Sequence, residues 1–347
     1  MTTFTGNELI FRRERLCELG TARFDADALG PGQMLVRTWY SLVSQGTEAA
    51  NFTGLDPGTR QPGTWNHYPH RPGYAAIGTV VATGADTGGA AEFAVGDLIF
   101  AITKHASYGV ADPGARPVVR LSPDDDLRTL ILCRMAAIAM TGLRKSGSVD
   151  LGGRAIVVGL GLVGFFASQL LRLAGMDVLG VDAADVRRVA AAAAELRATT
   201  AQEAGEARPM GVRRAEGPDL VIEASGSPAG LLLALELVRD GGEVVLLGTP
   251  RGTSVCDATD LTAAIHYRGL RVVGALEWLL PLRSSPWSAR WSLYDSYHTL
   301  IGLFRSGALR LGGWQVRSAR PADAHAVYSE LADGPPCAHA VVFDWSQ

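Results

Sequence analysis

A short polar segment near the N-terminus holds side chains that could contact and orient a substrate. Residues 42–54 read LVSQGTEAANFTG and lie between the apolar, strand-like run 34–40 and a loop rich in glycine and proline. The segment has the outline of a metal-binding active-site segment, but it contains no cysteine or histidine to serve as ligand. It therefore raises the question of which chemistry such a site performs without a metal. Its polar side chains are Ser44, Gln45, Thr47 and Glu48.

A glycine motif in the middle of the chain predicts a dinucleotide site. GLGLVG, residues 159–164, has G-x-G-x-x-G spacing, follows the strand-like run 155–158 and precedes an apolar helix over 163–174. In this context the first glycine permits a tight turn, the second lets the backbone approach a pyrophosphate, and the third allows close helix–strand packing. The alternative is a strand–turn–helix unit with incidental glycines. The cofactor-binding candidates here are Gly159, Gly161, Leu162, Val163 and Gly164.

The end of the next strand-like run, DVLGVD at residues 177–182, bears on the choice between NAD and NADP. Asp182 ends this run and can accept hydrogen bonds from both ribose hydroxyls, whereas it would repel a 2′-phosphate. Arg187, a few residues later, could instead hold that phosphate. NAD is therefore the predicted cofactor, and NADP is the alternative.

Two later strand ends add cofactor-binding candidates. Ser225 and Gly226 lie at the end of the apolar run 219–226, and Gly248 and Thr249 lie at the end of the run 242–250. Ligands of open α/β sheets gather beyond the carboxyl ends of the strands. Each pair could equally be a simple turn former, so the prediction rests on their position.

The composition and the hydrophobic pattern change along the chain. The first part is rich in Gly and Pro with short β-type runs, whereas from about residue 127 helical stretches alternate with compact apolar strands. Such alternation is what a parallel sheet covered on both faces requires. The strand expected after residue 195 is weak, with RATTAQ as its only candidate. The predicted fold class is α/β, a Rossmann doubly wound parallel sheet plus a mostly β catalytic domain. The predicted division is 1–125, 126–286 for the dinucleotide-binding domain, and 287–347 for a segment that returns to complete the catalytic domain.

The bulk composition argues against several classes of partner. The 347 residues carry a formal net charge of -3, so there is no electrostatic case for nucleic acid or an anionic membrane surface. No uncharged apolar run is long enough to span a membrane, and the N-terminus lacks the apolar core of a signal peptide. Four dispersed cysteines without a C-x-x-C argue against a disulfide framework. The expectation is a soluble, cytoplasmic protein of two domains.

The motifs resemble those of the medium-chain dehydrogenase/reductase superfamily over nearly the whole chain. Shorter motifs, among them LEW and the terminal DW, are similar to the branch of bacteriochlorophyllide a dehydrogenases and related oxidoreductases. The resemblance implies a GroES-like catalytic domain, hydride transfer in the interdomain cleft and a homodimer joined near residues 270–280. The main landmarks are SQGTE (44–48), RPGYAAIGTVVATG (71–84), VVGLGLVG (157–164) and EASGS (223–227).

The catalytic zinc ligands of this superfamily are replaced here. By resemblance, their positions correspond to Gln45, to Tyr74, and to Cys133 or Arg134. A catalytic zinc needs about three thiolate, imidazole or carboxylate ligands, and glutamine, tyrosine and arginine are poor substitutes. The four-cysteine lobe that holds a structural zinc is missing as well. We therefore expect no zinc.

Without a Lewis acid, hydrogen-bond donors must assist the substrate oxygen. By resemblance, Thr47 matches the superfamily's proton-relaying hydroxyl, although it could also cap a turn. Tyr74 could donate to a carbonyl or alkoxide, or simply fill the vacated space. The remaining candidates, each with a plainer structural alternative, are Gln45 and Glu48 as substrate-orienting groups, Arg134 as a carboxylate clamp and His105 as a general base.

The combined prediction is a zinc-independent oxidoreductase. It would transfer hydride between NAD(H) and a secondary alcohol or ketone of a specialised-metabolite-like small molecule. One alternative is a reductase of an activated C=C bond in an enone or quinone, and another is a dinucleotide-binding protein without catalysis. These alternatives stay open here because function lies in the site and not in the fold.

Overall fold

The N-terminal third of the chain is mostly β. The computed structural model describes residues 2–85, 92–205, 214–285 and 291–346. The first two strands form an antiparallel hairpin, and the later strands build a separate, largely antiparallel sheet. In chain order the elements are β1 (Thr3–Arg13), β2 (Leu16–Asp25), β3 (Met34–Leu42), α1 (Gln45–Thr53), β4 (Ala76–Thr83), β5 (Leu98–Ala101), β6 (Tyr108–Ala111) and β7 (Val118–Arg120).

The middle of the chain alternates helices with parallel strands. Its elements are α2 (Leu127–Leu130), α3 (Cys133–Lys145), β8 (Arg154–Val158), α4 (Leu162–Leu173), β9 (Asp177–Val181), α5 (Asp185–Ala192), β10 (Arg197–Thr199), α6 (Ala201–Ala204), β11 (Leu220–Glu223), α7 (Pro228–Leu237), β12 (Glu243–Leu246), α8 (Ala258–Arg268) and β13 (Arg271–Gly274). The strands form a parallel sheet in the order β10-β9-β8-β11-β12-β13. In this doubly wound order, the ligand crevice lies where the sequence of strands reverses, between β8 and β11. The predicted Rossmann class is confirmed.

The C-terminal elements return to the first sheet. They are α9 (Leu293–Arg305), β14 (Gln315–Ala319), α10 (Ala324–Asp333) and β15 (His339–Asp344). Strand β15 pairs with β3, and β14 pairs with β15, which gives the order β14-β15-β3-β4-β5-β7 with β6 also on β3. The mostly β, GroES-like domain is therefore assembled from both ends of the chain.

Helix α3 belongs to a buried core that continues into both sheets. Ile77 and Phe100 of the first sheet share one continuous buried core with α3 and with Phe165 and Phe166 of α4. Fully burying one such phenylalanine contributes about 1.5–3 kcal/mol. Residues at the start of α3 are therefore held between the domains, which is where Arg134 lies.

The structure contains the one strand that the sequence predicted only weakly, and it adds a hairpin that was not predicted. The weak strand in RATTAQ is present as β10. Helix α9 begins at Leu293, because Ser292 and Asp295 form a capping box before it. The β1–β2 hairpin was not predicted, since its exposed, polar residues hide the alternating pattern.

Two sequence-based expectations concern the surface. No helix in the described ranges is long and apolar enough to cross a lipid bilayer. Strand β13 lies at one end of the parallel sheet, within the segment where a dimer contact is expected. The homodimer itself stays a prediction.

Candidate active site

The polar segment at residues 44–48 forms the start of α1. Ser44 precedes the helix, and its backbone N–H donates to the Glu48 carboxylate (3.1 Å). Gly54 ends the helix at φ +67°, in the left-handed region that favours glycine. The turn is thus fixed at both ends, which places the hydroxyls of Ser44 and Thr47 beside Tyr74, just before β4.

Tyr74 is the centre of the candidate site. Its hydroxyl donates a hydrogen bond to the Ser44 hydroxyl and is also hydrogen-bonded to Thr47. The side chain is only partly buried. Burial raises the pKa of the Tyr74 phenol, and the nearby Arg134 cation opposes that effect without cancelling it. The phenol therefore stays protonated at neutral pH, as a proton or hydrogen-bond donor must.

Arg134 is not placed as a carboxylate clamp, which corrects that prediction. Its Nη1 donates to the Glu277 carboxylate (2.6 Å) and to the Tyr297 hydroxyl (3.0 Å), and the residue is 3% exposed. Glu277 already neutralises its charge inside the protein. The guanidinium lies over the Tyr74 ring, 4.9 Å from the centroid. Arg134 therefore packs against Tyr74 and positions it.

The residues at the positions that resemble zinc-ligand positions do not form a zinc donor set. Gln45 turns its amide to the carbonyl oxygen of His339, Tyr74 presents a protonated phenol, and Arg134 presents a cation. Cys133 lies in the core, where burial raises the pKa of its thiol far above the usual range. Across the described ranges, no group of three or more His, Cys, Asp or Glu side chains is arranged to hold a metal ion. These donors do not fit a catalytic zinc.

Glu48 and His105 belong to a buried network behind α1. The His105 Nε2 lies 3.0 Å from the Glu48 carboxylate, and its Nδ1 lies 2.7 Å from the Ser41 hydroxyl. Tyr328 of α10 donates to the same carboxylate (2.6 Å). Because a carboxylate accepts hydrogen bonds, the His105 Nε2–H is the donor in this contact.

This network corrects two predicted roles. His105 is fully buried with both ring nitrogens bound, so it is not placed to act as a general base. Glu48 is 1% exposed and ties α1 to α10, so it does not orient a substrate. Both side chains instead hold the helix that carries Thr47.

The glycine motif forms a tight turn between β8 and α4 that only glycines can adopt at two positions. Gly159 has φ +91°, and a β-carbon there would lie 2.8 Å from a backbone nitrogen of the loop after β11. A β-carbon at Gly164 would lie 1.8 Å from the Gly159 carbonyl oxygen, so only glycine fits. Gly161 caps α4 and has open space where a side chain would be. Leu162 and Val163 form the first turn, whose N–H groups are free to meet a phosphate.

Asp182 follows β9 and lies beside the glycine motif. Its carboxylate accepts hydrogen bonds from the backbone N–H groups of Leu160 (2.7 Å) and Ala184 (2.8 Å). Arg187 Nη1 lies 3.6 Å from the same carboxylate. Each carboxylate oxygen keeps accepting capacity for a ribose hydroxyl. The structure thus brings both predicted residues to one place and pairs Arg187 with Asp182.

The predicted strand-end residues form two tightly packed loops beyond β11 and β12. A β-carbon at Gly248 would lie 2.2 Å from the Gly226 nitrogen, and Thr249 continues the second loop. The first loop folds around the buried Glu223 carboxylate, which accepts from the N–H groups of Ser225 (2.8 Å) and Gly226 (3.1 Å). Glu223 organises this loop and was missed, because it reads as an ordinary strand residue.

A cavity of about 440 Å³ opens between α1 and the segment formed by the end of α10 and the loop after it. Its walls include Gln45, Gly46, Arg187 and Arg251. A β-carbon at Gly46 would lie 2.6 Å from Arg251 Nη1, so the guanidinium reaches the start of α1 only because residue 46 is glycine. A cation at a helix N-terminus is electrostatically unfavourable unless an anion joins it. In the described part of the chain, no carboxylate forms a salt bridge with Arg251. This residue, which the motifs did not single out, could hold a phosphate of the dinucleotide.

Comparisons with known proteins agree with this geometry. A family model described as zinc-binding dehydrogenase matches residues 163–282. The 2-desacetyl-2-hydroxyethyl bacteriochlorophyllide A dehydrogenase of Cereibacter sphaeroides is 26% identical over 341 residues, which cover 94% of this chain and 95% of that protein. Galactitol-1-phosphate dehydrogenase from Escherichia coli has a TM-score of 0.75 at 16% identity, over 97% of this chain and 99% of the other. Acetophenone reductase from Geotrichum candidum, solved with NAD, has a TM-score of 0.73 at 17% identity, over 98% of this chain and 97% of that chain.

Fold, glycine motif and relatives define an oxidoreductase with an NAD(P)-binding Rossmann domain. These findings support the resemblance to the medium-chain dehydrogenase/reductase superfamily that the sequence motifs predicted.

Proposed function

We propose that this protein is a zinc-independent oxidoreductase that transfers hydride between NAD(H) and a secondary alcohol or ketone. The observation that carries the proposal is the Tyr74 hydroxyl, held by Ser44 and Thr47 in a site whose donors do not fit zinc. The names of similar proteins support the substrate class. One relative is named for a hydroxyethyl-bearing bacteriochlorophyllide, and one structural neighbour is named for acetophenone.

The protein's own task in this reaction is at the substrate oxygen. A bound nicotinamide would give a hydride to a carbonyl carbon or take one from an alcohol carbon. In ketone reduction, Tyr74 would donate its phenolic proton to the oxygen as negative charge develops there. Ser44 and Thr47 would return a proton to the phenol, and in alcohol oxidation the proton would leave by the same hydroxyls. The Arg134 cation beside the ring would favour the transient phenolate.

NAD is the proposed cofactor, with NADP as the alternative. The Asp182 carboxylate would accept hydrogen bonds from the ribose hydroxyls and repel a 2′-phosphate. The first turn of α4 and Arg251 would bind the phosphates. Arg187 would favour NADP only if it left Asp182, from which it is now 3.6 Å away.

A reductase of an activated C=C bond in an enone or quinone is the second candidate. It is favoured by the pair of hydroxyl donors, because Tyr74 and Thr47 would serve an enolate oxygen as well as an alkoxide. Hydride would then go to the β-carbon of the substrate, and the same donors would stabilise the oxygen.

The test is hydride transfer followed by NADH absorbance. We expect the purified protein to oxidise 1-phenylethanol with NAD and to reduce acetophenone with NADH. Because Asp182 repels a 2′-phosphate, NADPH should be weaker in kcat/KM by about tenfold or more. Conversion of cyclohexenone to cyclohexanone, without turnover of acetophenone or 1-phenylethanol, would favour the second candidate. A protein that binds NADH but turns over none of the three would contradict both.

A binding control separates the cofactor site from the chemistry. Arg251→Ala should raise the Kd for NADH by about tenfold, because one charge-assisted contact to a phosphate is lost. Arg13→Ala serves as the matched variant, since Arg13 is exposed at the turn of the β1–β2 hairpin. Equal affinity in both variants would remove Arg251 from the cofactor site.

A further inference from the structure

Trp278 and Tyr74 contact the same buried cation, the Arg134 guanidinium. Trp278 follows β13 in a short 3-10 turn and is 39% exposed. The Arg134 guanidinium lies 5.3 Å from the Trp278 ring centroid and 4.9 Å from that of Tyr74. The exposed indole is thus linked to the Tyr74 ring through one buried side chain.

A second guanidinium stacks on the same indole from the loop between β6 and β7. Arg116 lies 4.3 Å from the Trp278 ring centroid and is exposed. Its side chain donates only to the Ala115 carbonyl oxygen (3.2 Å) among the groups in the described ranges. Trp278 therefore contacts the Arg116 guanidinium, which has no carboxylate partner in the described ranges.

The neighbouring arginines differ from Arg116 in this respect. Arg134 is neutralised by Glu277, Arg120 pairs with Asp97 (2.6 Å), and other surface arginines also pair with acidic side chains. Arg116 is therefore, like Arg251, an arginine without a carboxylate partner in the described ranges, and it contacts the indole that also borders Arg134. An indole face next to a free guanidinium is suited to a flat ligand with a carboxylate.

We infer that Trp278 and Arg116 form a substrate subsite for an aromatic ring bearing a carboxylate away from the reacting carbon. The inference rests on the proposed function for the reacting end of the substrate at Tyr74. The ring would pack on the part of Trp278 that the two guanidinium groups leave exposed, and the carboxylate would take hydrogen bonds from the Arg116 guanidinium, whose planar fork matches it. Trp278 keeps the guanidinium in place through the cation–π contact.

The test compares two ligands that differ only in charge. Binding of 4-acetylbenzoate and of methyl 4-acetylbenzoate to the NAD-saturated protein is measured by calorimetry. We expect the carboxylate to bind about tenfold more tightly than the ester, because it alone gains charge-assisted hydrogen bonds. Arg116→Gln should remove this preference by weakening the carboxylate only. Trp278→Leu should weaken both ligands, because both use the indole face.

The controls keep the subsite separate from the chemistry. Arg13→Gln removes another exposed arginine and should preserve the preference. Equal affinity for acid and ester in the wild-type protein, or an unchanged preference in Arg116→Gln, would overturn the subsite. An intact, Arg116-dependent binding preference in a protein that reduces neither compound with NADH would support the subsite and contradict the proposed function.

Discussion

Replacing Tyr74 by phenylalanine should lower kcat/KM for acetophenone reduction by on the order of 100-fold. The change removes only the hydroxyl that Ser44 and Thr47 hold, while the ring keeps its contact with Arg134. The affinity for NADH should stay the same, since no predicted cofactor contact is altered. Steady-state kinetics with a separate NADH titration measure both quantities.

A matched tyrosine provides the control. Tyr40 on β3 is also partly exposed and also lies under a guanidinium, with Arg128 5.4 Å from its centroid. Tyr40→Phe should leave kcat/KM within about twofold of the wild type, as surface changes away from a site usually do. Equal activities of the Tyr74 and Tyr40 variants would contradict the role of the Tyr74 phenol.

Arg134→Met should lower the free energy of unfolding by about 3–5 kcal/mol. The change leaves the Glu277 carboxylate, which is 4% exposed, without its charge partner. The Tyr297 hydroxyl also loses its hydrogen bond from the guanidinium. Urea denaturation monitored by far-UV circular dichroism gives the difference.

Two further variants show whether the loss comes from the uncompensated charge. Arg134→Met combined with Glu277→Leu should recover most of the stability, because an apolar replacement of a buried ion pair is often neutral. Arg15→Met breaks an exposed pair with Asp333 (2.8 Å) and should cost about 1 kcal/mol or less. If Arg134→Met lowered the free energy of unfolding as little as Arg15→Met does, the buried Arg134–Glu277 pair would not be needed for the stability of the site.

The parts of the molecule that the sequence predicted are those in which a few adjacent residues determine the geometry. The glycine motif, its strand and its helix are contiguous, and the steric need for Gly159 and Gly164 arises within them. The order of parallel strands follows from alternating apolar runs and helices. Asp182 was singled out in the same way, from its place after a strand, and its preference for NAD stays a prediction.

The site contacts that were missed or misjudged join distant parts of the chain. Arg134 and Glu277 are 143 residues apart, and Glu48 and Tyr328 are 280 apart. No local pattern shows that such side chains will meet and be buried, so Arg134 and Glu48 were read as substrate contacts. Arg251 was missed for a related reason: its position matters only because Gly46, on another domain, leaves room for it.

Metal content and activity of the chelator-treated protein test the central claim most directly. A protonated Tyr74 and the Arg134–Glu277 pair lie at positions that by resemblance correspond to zinc ligands, and neither supplies the anionic or imidazole ligand that zinc needs. We therefore expect that protein dialysed against a strong chelator contains far less than one zinc per chain and keeps its NADH-dependent activity. Stoichiometric zinc whose removal abolishes activity, with recovery on adding zinc back, would contradict it.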